Sequence, residues 1–339
     1  MSEPLLAVRN LRKYFPVKAQ YIGGPKLLVQ AVDDVSFSIL EGETLGIVGE
    51  SGCGKSTTAR LLMHLIKSDA GNVRVAGKPV LGDGGLTLRE LRRQMQMVFQ
   101  DSYASLNPRL TVVDSIAFGP RAHGVPGDKA RDKARELLAL VKLDPDQFGP
   151  RYPHQLSGGQ RQRVNFARAL ALDPKLVILD EAVSALDKSI EAQVLNLLMD
   201  LKKDLRLTYL FISHDLNVVQ YISDRVLVMY LGKVVEYGPV EEIYHRPKHP
   251  YTQALLASRP SMDPDVKLKT SPLAGDPPNP INPPSGCRFR TRCAFAEAVC
   301  ERTEPRLSKV DAVTRHSVAC HMTIPGSGHS KNTCLRSKV

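Results

Sequence analysis

The sequence predicts an α/β fold built around a mostly parallel sheet. Two continuous apolar runs, Leu45–Val48 and Leu176–Leu179, are typical of strands that are covered on both faces. Helical stretches separate the apolar runs, as they do in chains whose helices cross over between parallel strands. A glycine-rich segment, Gly49–Ser56, follows the first run directly and opens a helical stretch.

The length and composition are those of a globular protein. The 339 residues are 42% hydrophobic and 24% charged, and about 150 residues per domain suggests roughly two domains. These values exclude disordered, collagen-like and small disulfide-bonded chains. No apolar run approaches the ~18 residues of a membrane-spanning helix, and the N-terminus shows no secretory signal.

The elements follow one another in a regular order. Val35–Ile39 alternates like a half-buried strand, and Tyr209–Ile212 and Val226–Met229 predict further buried strands. The predicted helices cover Ser56–Ile66, Lys129–Val141, Gly158–Leu172 and Ile190–Leu205.

The Gly49–Ser56 segment fits the phosphate-loop pattern G-x-x-x-x-G-K-[ST] in full. Its glycines let the backbone N–H groups point into one concavity, and the helix that follows adds about half a positive charge. Lys55 is placed to reach the β- and γ-phosphates of a nucleotide, and Ser56 to bind Mg²⁺.

Two adjacent carboxylates, Asp180 and Glu181, end the second apolar run. Phosphoryl transfer depends mainly on positioning and charge stabilisation. We therefore assign Asp180 to Mg²⁺ and Glu181 to the attacking water.

The segment Leu156–Gln160 reads LSGGQ and precedes a basic helical run. Together with the phosphate loop and the two carboxylates, it resembles the ATP-binding cassette (ABC) ATPases, for which LSGGQ is the signature. The motifs occur in family order over roughly residues 5–240. The resemblance implies a P-loop NTPase fold with a mostly parallel core sheet, an antiparallel β edge and a helical subdomain at about residues 101–173.

The resemblance also implies roles for single residues. Gln100 resembles the Q-loop glutamine, His214 the switch histidine, and Phe15 the aromatic residue that stacks on adenine, with Tyr14 as the alternative. With Glu181, Gln100 and His214 form the implied catalytic set. The implied ATP- and Mg²⁺-binding set is Phe15, Gly49, Ser51, Gly52, Cys53, Gly54, Lys55, Ser56, Thr57, Gln100, Ser157, Gly158, Gly159, Gln160, Asp180 and Asp187.

In this family, each ATP lies between one subunit's phosphate loop and the other subunit's signature. The resemblance therefore implies a head-to-tail dimer with a second, related ATPase, or with another copy of this chain. Ala182 departs from the proline that usually follows the catalytic glutamate. We expect a local backbone effect there and no loss of hydrolysis.

Three tasks are compatible with an ABC ATPase: membrane transport, DNA repair or chromosome structure, and work on ribosomes. The net charge of +11 is compatible with nucleic acid, anionic lipid or an acidic partner, and on charge alone also with an ordinary solvated surface that ends in a basic tail. The repair class usually carries a long coiled coil or a zinc insertion, and the ribosomal class two cassettes; this chain has one cassette and no sustained heptads. No nucleic-acid-binding motif is present, so no nucleic-acid partner is expected.

Three segments, Gln100–Arg109, Arg246–Thr252 and Gly286–Cys293, resemble the ATPases of peptide/nickel importers of the dipeptide/oligopeptide type. The resemblance implies two membrane-spanning permease subunits, an extracytoplasmic substrate-binding protein and a peripheral location on the cytoplasmic face of the inner (plasma) membrane. The permease would contact the segment after Gln100. Short peptides are the expected cargo, with nickel chelates and glutathione as alternatives.

Five of the six cysteines lie in the final 53 residues. In a reducing compartment, metal binding outranks disulfides. Spacing alone fits neither zinc nor a bacterial ferredoxin well, and reduced thiols that simply pack remain an alternative. The family resemblance implies a 4Fe–4S cluster with a structural role, and nearby arginines would offset its charge. The implied ligands are Cys287, Cys293, Cys300 and Cys320; Cys334 is expected to be a free thiol.

The proline content divides the chain. Eight of its 24 prolines lie in residues 259–286, which predicts a semi-rigid connector. The expected parts are a nucleotide-binding domain at residues 1–258, the connector at 259–286 and a cysteine-rich extension at 287–339.

Overall fold

The computed structural model describes residues 3–17, 27–259, 275–276, 278–310 and 315–332. Much of the predicted connector and Cys334 lie outside these ranges. The strands are β1 (Leu6–Pro16), β2 (Leu28–Ile39), β3 (Thr44–Val48), β4 (Ala70–Val75), β5 (Lys78–Pro79), β6 (Met95–Val98), β7 (Leu176–Asp180), β8 (Thr208–Ile212), β9 (Arg225–Tyr230), β10 (Lys233–Pro239), β11 (Ser308–Lys309) and β12 (Ser317–Val318).

The described helices lie between these strands and on both faces of the larger sheet. They are α1 (Lys55–Leu62), α2 (Leu88–Gln94), α3 (Val112–Ala122), α4 (Gly127–Leu140), α5 (Pro145–Phe148), α6 (Gly158–Leu170), α7 (Lys188–Leu205), α8 (Leu216–Ile222), α9 (Val240–His245), α10 (Pro250–Ala257) and α11 (Ala298–Arg302). Two short 3₁₀ turns cover Pro153–Gln155 and Arg290–Arg292.

The larger sheet has the strand order β11-β12-β10-β9-β3-β8-β7-β6. The five strands from β9 to β6 are parallel, and β10, β12 and β11 continue the sheet in antiparallel fashion. A second, antiparallel sheet has the order β2-β1-β4-β5. This arrangement confirms the predicted α/β class, the mostly parallel core and the antiparallel β edge.

The central strands bury both faces, which is why their sequences are continuously apolar. In β8, Tyr209 and Phe211 belong to an apolar cluster that includes α3, α4, α6 and α7. Leu210 and Ile212 face the opposite way, into a cluster that includes α1 and the antiparallel sheet. Burial of both faces excludes polar side chains from these strands until their ends.

Helix α1 ends earlier than its sequence pattern predicts. It stops at Leu62 because His64 adopts a left-handed conformation with φ of +52°. The N–H groups of Leu65 and His64 then donate to the carbonyls of Arg60 and Leu61, at 2.9 and 3.0 Å. These two bonds form a Schellman motif, which closes the helix without glycine.

The cysteine-rich extension joins the larger sheet through β12. Its short ladder pairs Glu236 with Val318 and Tyr237 with Ser317. The Glu236 side chain is fully buried. Its carboxylate accepts the N–H groups of Lys248 and His249 at 2.7 and 3.1 Å and lies 2.7 Å from His316 Nε2. One buried carboxylate thus joins β10, the start of α10 and the extension.

Replacing Glu236 with alanine is expected to lower the free energy of unfolding by about 3 kcal/mol, because two amides and a histidine lose their buried partner. Urea denaturation followed by circular dichroism measures the loss. Glu304→Ala is the matched control, since Glu304 is 53% exposed where it pairs with Lys233. It should cost less than about 1 kcal/mol. Equal losses in the two variants would contradict the role of Glu236.

Candidate functional site

The register of the parallel strands places their carboxyl ends at one level. Ile212 of β8 pairs with both Asp180 of β7 and Ile47 of β3. Val98 of β6 pairs with Leu179 of β7. The segments that follow these four strands therefore begin side by side, and they carry the phosphate loop, Glu181, His214 and Gln100.

The phosphate loop needs glycine where its backbone approaches neighbouring strands. Gly49 and Gly54 have φ of +150° and +106°. A Cβ at Gly49 would lie 2.2 Å from the carbonyl oxygen of Met229, and one at Gly54 would lie 2.2 Å from that of Ala31. The loop is thus seated against β9 and β2, and it delivers the chain into α1.

Lys55 is the first residue of α1, and its side chain is buried. Its Nζ donates to the carbonyl oxygens of Gly49 and Glu50 at 2.8 and 3.1 Å. The ammonium group therefore lies inside the curl of the loop, beside the positive end of the helix. Both features attract a phosphate.

The other loop residues vary in exposure. Ser51 and Gly52 are exposed, and Thr57 is half-buried. Cys53 is buried beneath the loop, and burial raises the pKa of its thiol. Cys53 is therefore a packed neutral thiol in the loop wall.

Ser56 and Asp180 form the oxygen-rich part of the site. The Ser56 hydroxyl donates to Asp180 Oδ1 at 2.8 Å. Asp180 is only 4% exposed, and burial raises the pKa of its carboxyl. Hydroxyl and carboxylate oxygens are the ligands that Mg²⁺ prefers, so the pair fits the metal that accompanies a nucleotide.

Glu181 is contacted by the two other residues of the implied catalytic set. Gln100 Nε2 donates to Glu181 Oε2 at 2.9 Å, and His214 Nδ1 lies 3.5 Å from the same oxygen. Glu181 has a φ of +49°. Its N–H still bonds Ile212 O at 2.9 Å, so the chain turns sharply here while the strand pairing is maintained.

The LSGGQ segment begins α6. Ser157 caps the helix: its Oγ accepts the Gln160 N–H, and its own N–H donates to Gln160 Oε1 at 2.9 Å. Gly159 packs closely on α7, where a Cβ would lie 2.6 Å from Ile190 Cγ2. Asp187 precedes α7 and is exposed, as is Ser157. These residues form a second surface, separate in sequence from the phosphate loop.

Phe15 and Tyr14 are adjacent in β1 but have different surroundings. Tyr14 OH donates to Asp33 at 2.6 Å, and burial together with this bond raises the pKa of Tyr14 to about 12. Phe15 is partly exposed, and Lys13 Nζ lies 5.5 Å from its ring centre. The tyrosine is thus held by the core, which favours Phe15 as the ring that meets a base.

Sequence reasoning missed two residues that contact the phosphate loop. Arg292 binds the Glu50 carboxylate, and Tyr251 OH accepts the Glu50 N–H at 2.9 Å. The sequence indicated Arg292 only indirectly, as one of a set of arginines among the cysteines of the extension. Two of these, Arg288 and Arg292, pair with Asp33 and Glu50 of the ATPase core.

The four cysteines of the extension that the structure describes, Cys287, Cys293, Cys300 and Cys320, lie together. With His321 and His329 they line one small cavity of about 10 Å³, and Cys287 N–H donates to Cys300 O at 2.7 Å. Burial raises the pKa of Cys287 to about 11 and that of Cys320 to about 12, and the neighbouring thiols add to both shifts. His321 Nε2 is 2.8 Å from Thr303 O, so this histidine is packed and hydrogen-bonded.

Within the described residues, no group of three or more His, Cys, Asp or Glu side chains is arranged to hold a single metal ion. This finding gives no support to zinc or to the expected cluster. The donor set itself, four thiols around one cavity, has the chemistry of a thiolate-ligated iron–sulfur cluster.

Comparison with known proteins identifies the family. The ABC transporter family matches residues 32–184, and the oligopeptide/dipeptide transporter C-terminal region matches residues 235–300. The chain is 49% identical to the oligopeptide transport ATP-binding protein OppF of Salmonella typhimurium over 322 residues, which are 93% of this chain and 95% of that protein. The chain belongs to the ABC transporter ATPases of the oligopeptide/dipeptide type.

Two further relatives agree with this assignment. The oligopeptide transport ATP-binding protein AppF of Bacillus subtilis is 49% identical over 325 residues, covering 95% of this chain and 98% of that protein. The solved structure of cbiO1 from Clostridium perfringens, part of the ABC transporter complex cbiONQ, superposes with a TM-score of 0.61 at 28% identity. The superposition covers 72% of this chain and 92% of the cbiO1 chain. The ABC ATPase fold and the ATPase class are therefore confirmed.

Among the helices of the described ranges, none combines the length and apolar character required to cross a membrane.

Proposed function

We propose that this ABC ATPase hydrolyses MgATP at the edge of its parallel sheet and thereby powers the uptake of short peptides. One observation carries the ATPase assignment: Gln100 and His214 converge on one oxygen of Glu181, directly after the Asp180 that binds Ser56. The cargo rests on the oligopeptide transport function printed for relatives at 49% identity.

Each residue has a role that follows from its position. Lys55 and the loop N–H groups bind the phosphates. Ser56 and Asp180 would hold Mg²⁺, which would neutralise phosphate charge. Glu181 orients the attacking water and takes its proton. Gln100 and His214 restrict the Glu181 carboxylate to one orientation, which lowers the entropy cost of reaching the transition state.

A second subunit would complete the site. Ser157 is exposed at the beginning of α6, and the Gly49–Ser56 loop of the same chain already supplies one phosphate cradle. A head-to-tail dimer places the Ser157–Gln160 segment of one subunit, with Asp187, opposite the phosphate loop of the other. Closure excludes water and strengthens the contacts at the terminal phosphate. A related ATPase is the proposed partner, with a second copy of this chain as the alternative.

The membrane partners would dock beside the signature helix. The segment after Gln100 and the start of α6 border a cavity of about 450 Å³ that is lined by Tyr103, Arg161 and Leu186. Tyr103 is half exposed, and the Arg161 guanidinium lies 5.6 Å from its ring centre. We assign this cavity to the permease, within a complex of two permease subunits and an extracytoplasmic binding protein. The ATPase would then be peripheral, on the cytoplasmic face of the inner membrane.

We also propose that Cys287, Cys293, Cys300 and Cys320 hold a 4Fe–4S cluster with a structural role. Their position around one cavity supports the proposal. Such a cluster would supply crosslinks between the 3₁₀ turn, α11 and the segment after β12. The raised thiol pKa values mean that binding would release protons.

Glu181→Gln is expected to abolish ATP turnover while leaving ATP binding intact, because the amide is a poor base of nearly the same shape. Steady-state ATPase assays and equilibrium ATP binding on the full chain separate the two effects. Lys55→Ala is the matched control and should instead lose ATP affinity. Normal turnover in Glu181→Gln would overturn the assignment of the water-orienting residue, and unchanged affinity in Lys55→Ala would overturn the phosphate site.

The cargo is tested in the native host. Replacement of the chromosomal copy by the Glu181→Gln variant should abolish the uptake of a radiolabelled tripeptide, since import requires turnover. Uptake of a nickel chelate and of glutathione should persist. Loss of either of these with normal tripeptide uptake would contradict peptide import.

Anaerobic purification is expected to yield about four iron and four sulfide per chain. Cys300→Ser should lose most of the iron, whereas Cys53→Ser should retain it because Cys53 lies in the phosphate loop. One equivalent of zinc, or metal-free chain with reduced thiols, would contradict the cluster.

A further inference from the structure

The second residue of the phosphate loop, Glu50, is fixed on three sides. Arg292 binds both carboxylate oxygens, with its two terminal nitrogens at 2.8 and 3.1 Å. Tyr251 OH accepts the Glu50 N–H at 2.9 Å, and Lys55 donates to its carbonyl oxygen at 3.1 Å. Two of these three partners, Arg292 and Tyr251, lie more than 200 residues further along the chain.

The Arg292 guanidinium is itself held rigidly. Its side chain is 6% exposed and ends the 3₁₀ turn Arg290–Arg292. It lies 6.0 Å from the ring centre of Tyr230, which packs on Tyr251 and Phe289 at 4.6 and 5.3 Å. The planar fork of an arginine, so packed, fixes the direction of the carboxylate that it binds.

Such an anchor matters for the order of the loop because the loop backbone is conformationally flexible. Gly49, Gly52 and Gly54 all have positive φ, and glycine loses more freedom on ordering than any other residue. Gly52 is exposed, and a Cβ there would meet no atom within 4 Å. A loop that is ordered before its ligand arrives binds that ligand at lower entropy cost.

Charge adds to the same effect. An unpaired Glu50 carboxylate beside bound triphosphate would repel it, whereas the Glu50–Arg292 pair is neutral. The Arg292 guanidinium therefore fixes the conformation of the loop and neutralises the charge of the Glu50 carboxylate, which would otherwise repel the triphosphate.

We propose that Arg292 is a positioning residue for ATP, acting through Glu50, so that the cysteine-rich extension sets the nucleotide affinity of the phosphate loop. The proposal rests on the assignment of that loop as the ATP site. The hydrolytic groups Glu181, Gln100 and His214 are held by other contacts. Loss of the fork should therefore change ATP binding and leave the hydrolytic step unaffected.

The test uses the full chain and MgATP. Arg292→Gln should raise both the Kd and the KM for ATP about tenfold, with kcat nearly unchanged. Glu50→Gln should give a smaller loss in the same direction, because the fork loses its partner while the carboxylate charge beside the triphosphate is removed as well. The double variant should be no worse than the weaker-binding single variant, as expected for two residues in one interaction. The exchange Glu50→Arg with Arg292→Glu should recover part of the affinity.

Two arginines of the same segment are matched controls. Arg290 bonds Ser285 O of the connector at 3.0 Å and lies 3.6 Å from Glu301 of the extension, so neither contact reaches the phosphate loop. Arg288 pairs with Asp33 of β2 and bonds the carbonyl oxygen of Leu231, so Arg288→Gln loosens the docking through contacts that do not involve Glu50. Both Arg290→Gln and Arg288→Gln should keep the ATP KM of the unmodified protein, and melting temperatures separate any loss of folding.

Two results would overturn the proposal. One is an unchanged ATP Kd in Arg292→Gln. The other is an equal rise of KM in Arg288→Gln, which would assign the effect to docking in general. The Lys55→Ala variant distinguishes this failure from failure of the ATP site. If Lys55→Ala loses ATP and Arg292→Gln does not, only the positioning role is wrong.

Discussion

The register of the parallel strands is the constraint on which the site depends. Because Ile212 pairs with both Asp180 and Ile47, β3, β7 and β8 end at one level. A slip of one residue along β7 would turn Asp180 to the opposite face of the sheet. The register is secured by burial on both faces, so the same apolar packing that stabilises the core also places Glu181 beside its partners.

The attachment of the extension is secured by buried charges. Asp33, Glu50 and Glu236 of the ATPase core each contact a basic or imidazole side chain of the extension, at 2.5 to 2.8 Å. Such pairs contribute little net stability, because desolvation offsets the attraction, yet removing one partner is costly. The extension therefore has one docked orientation, in which each charge meets its partner.

Much of the arrangement of the candidate ATP site could be predicted from sequence, because its residues occur in contiguous motifs. The phosphate loop, Asp180 and Glu181 each follow a continuous apolar strand, and that local order is visible without the structure. The partners of Glu50 were not predictable in this way. Arg292 is 242 residues distant in sequence, and β12, which brings the extension onto the sheet, has only two residues. The end of α1 was missed since His64 closes the helix in a conformation that glycine usually adopts.

Two constraints, the register of the parallel strands and the docking of the extension, act on the nucleotide site from different parts of the chain. Strand pairing fixes the groups that follow β6, β7 and β8, and these are the groups that we propose act on water. The extension fixes Glu50, and through it the loop that follows β3. The Arg292 guanidinium fixes the position of the carboxylate that it binds, which is that of Glu50. We therefore expect the extension to affect the binding of ATP by the phosphate loop rather than the action of Glu181. With the proposed roles, the fold separates the binding of ATP from its hydrolysis, although the groups for both lie at one edge of one sheet.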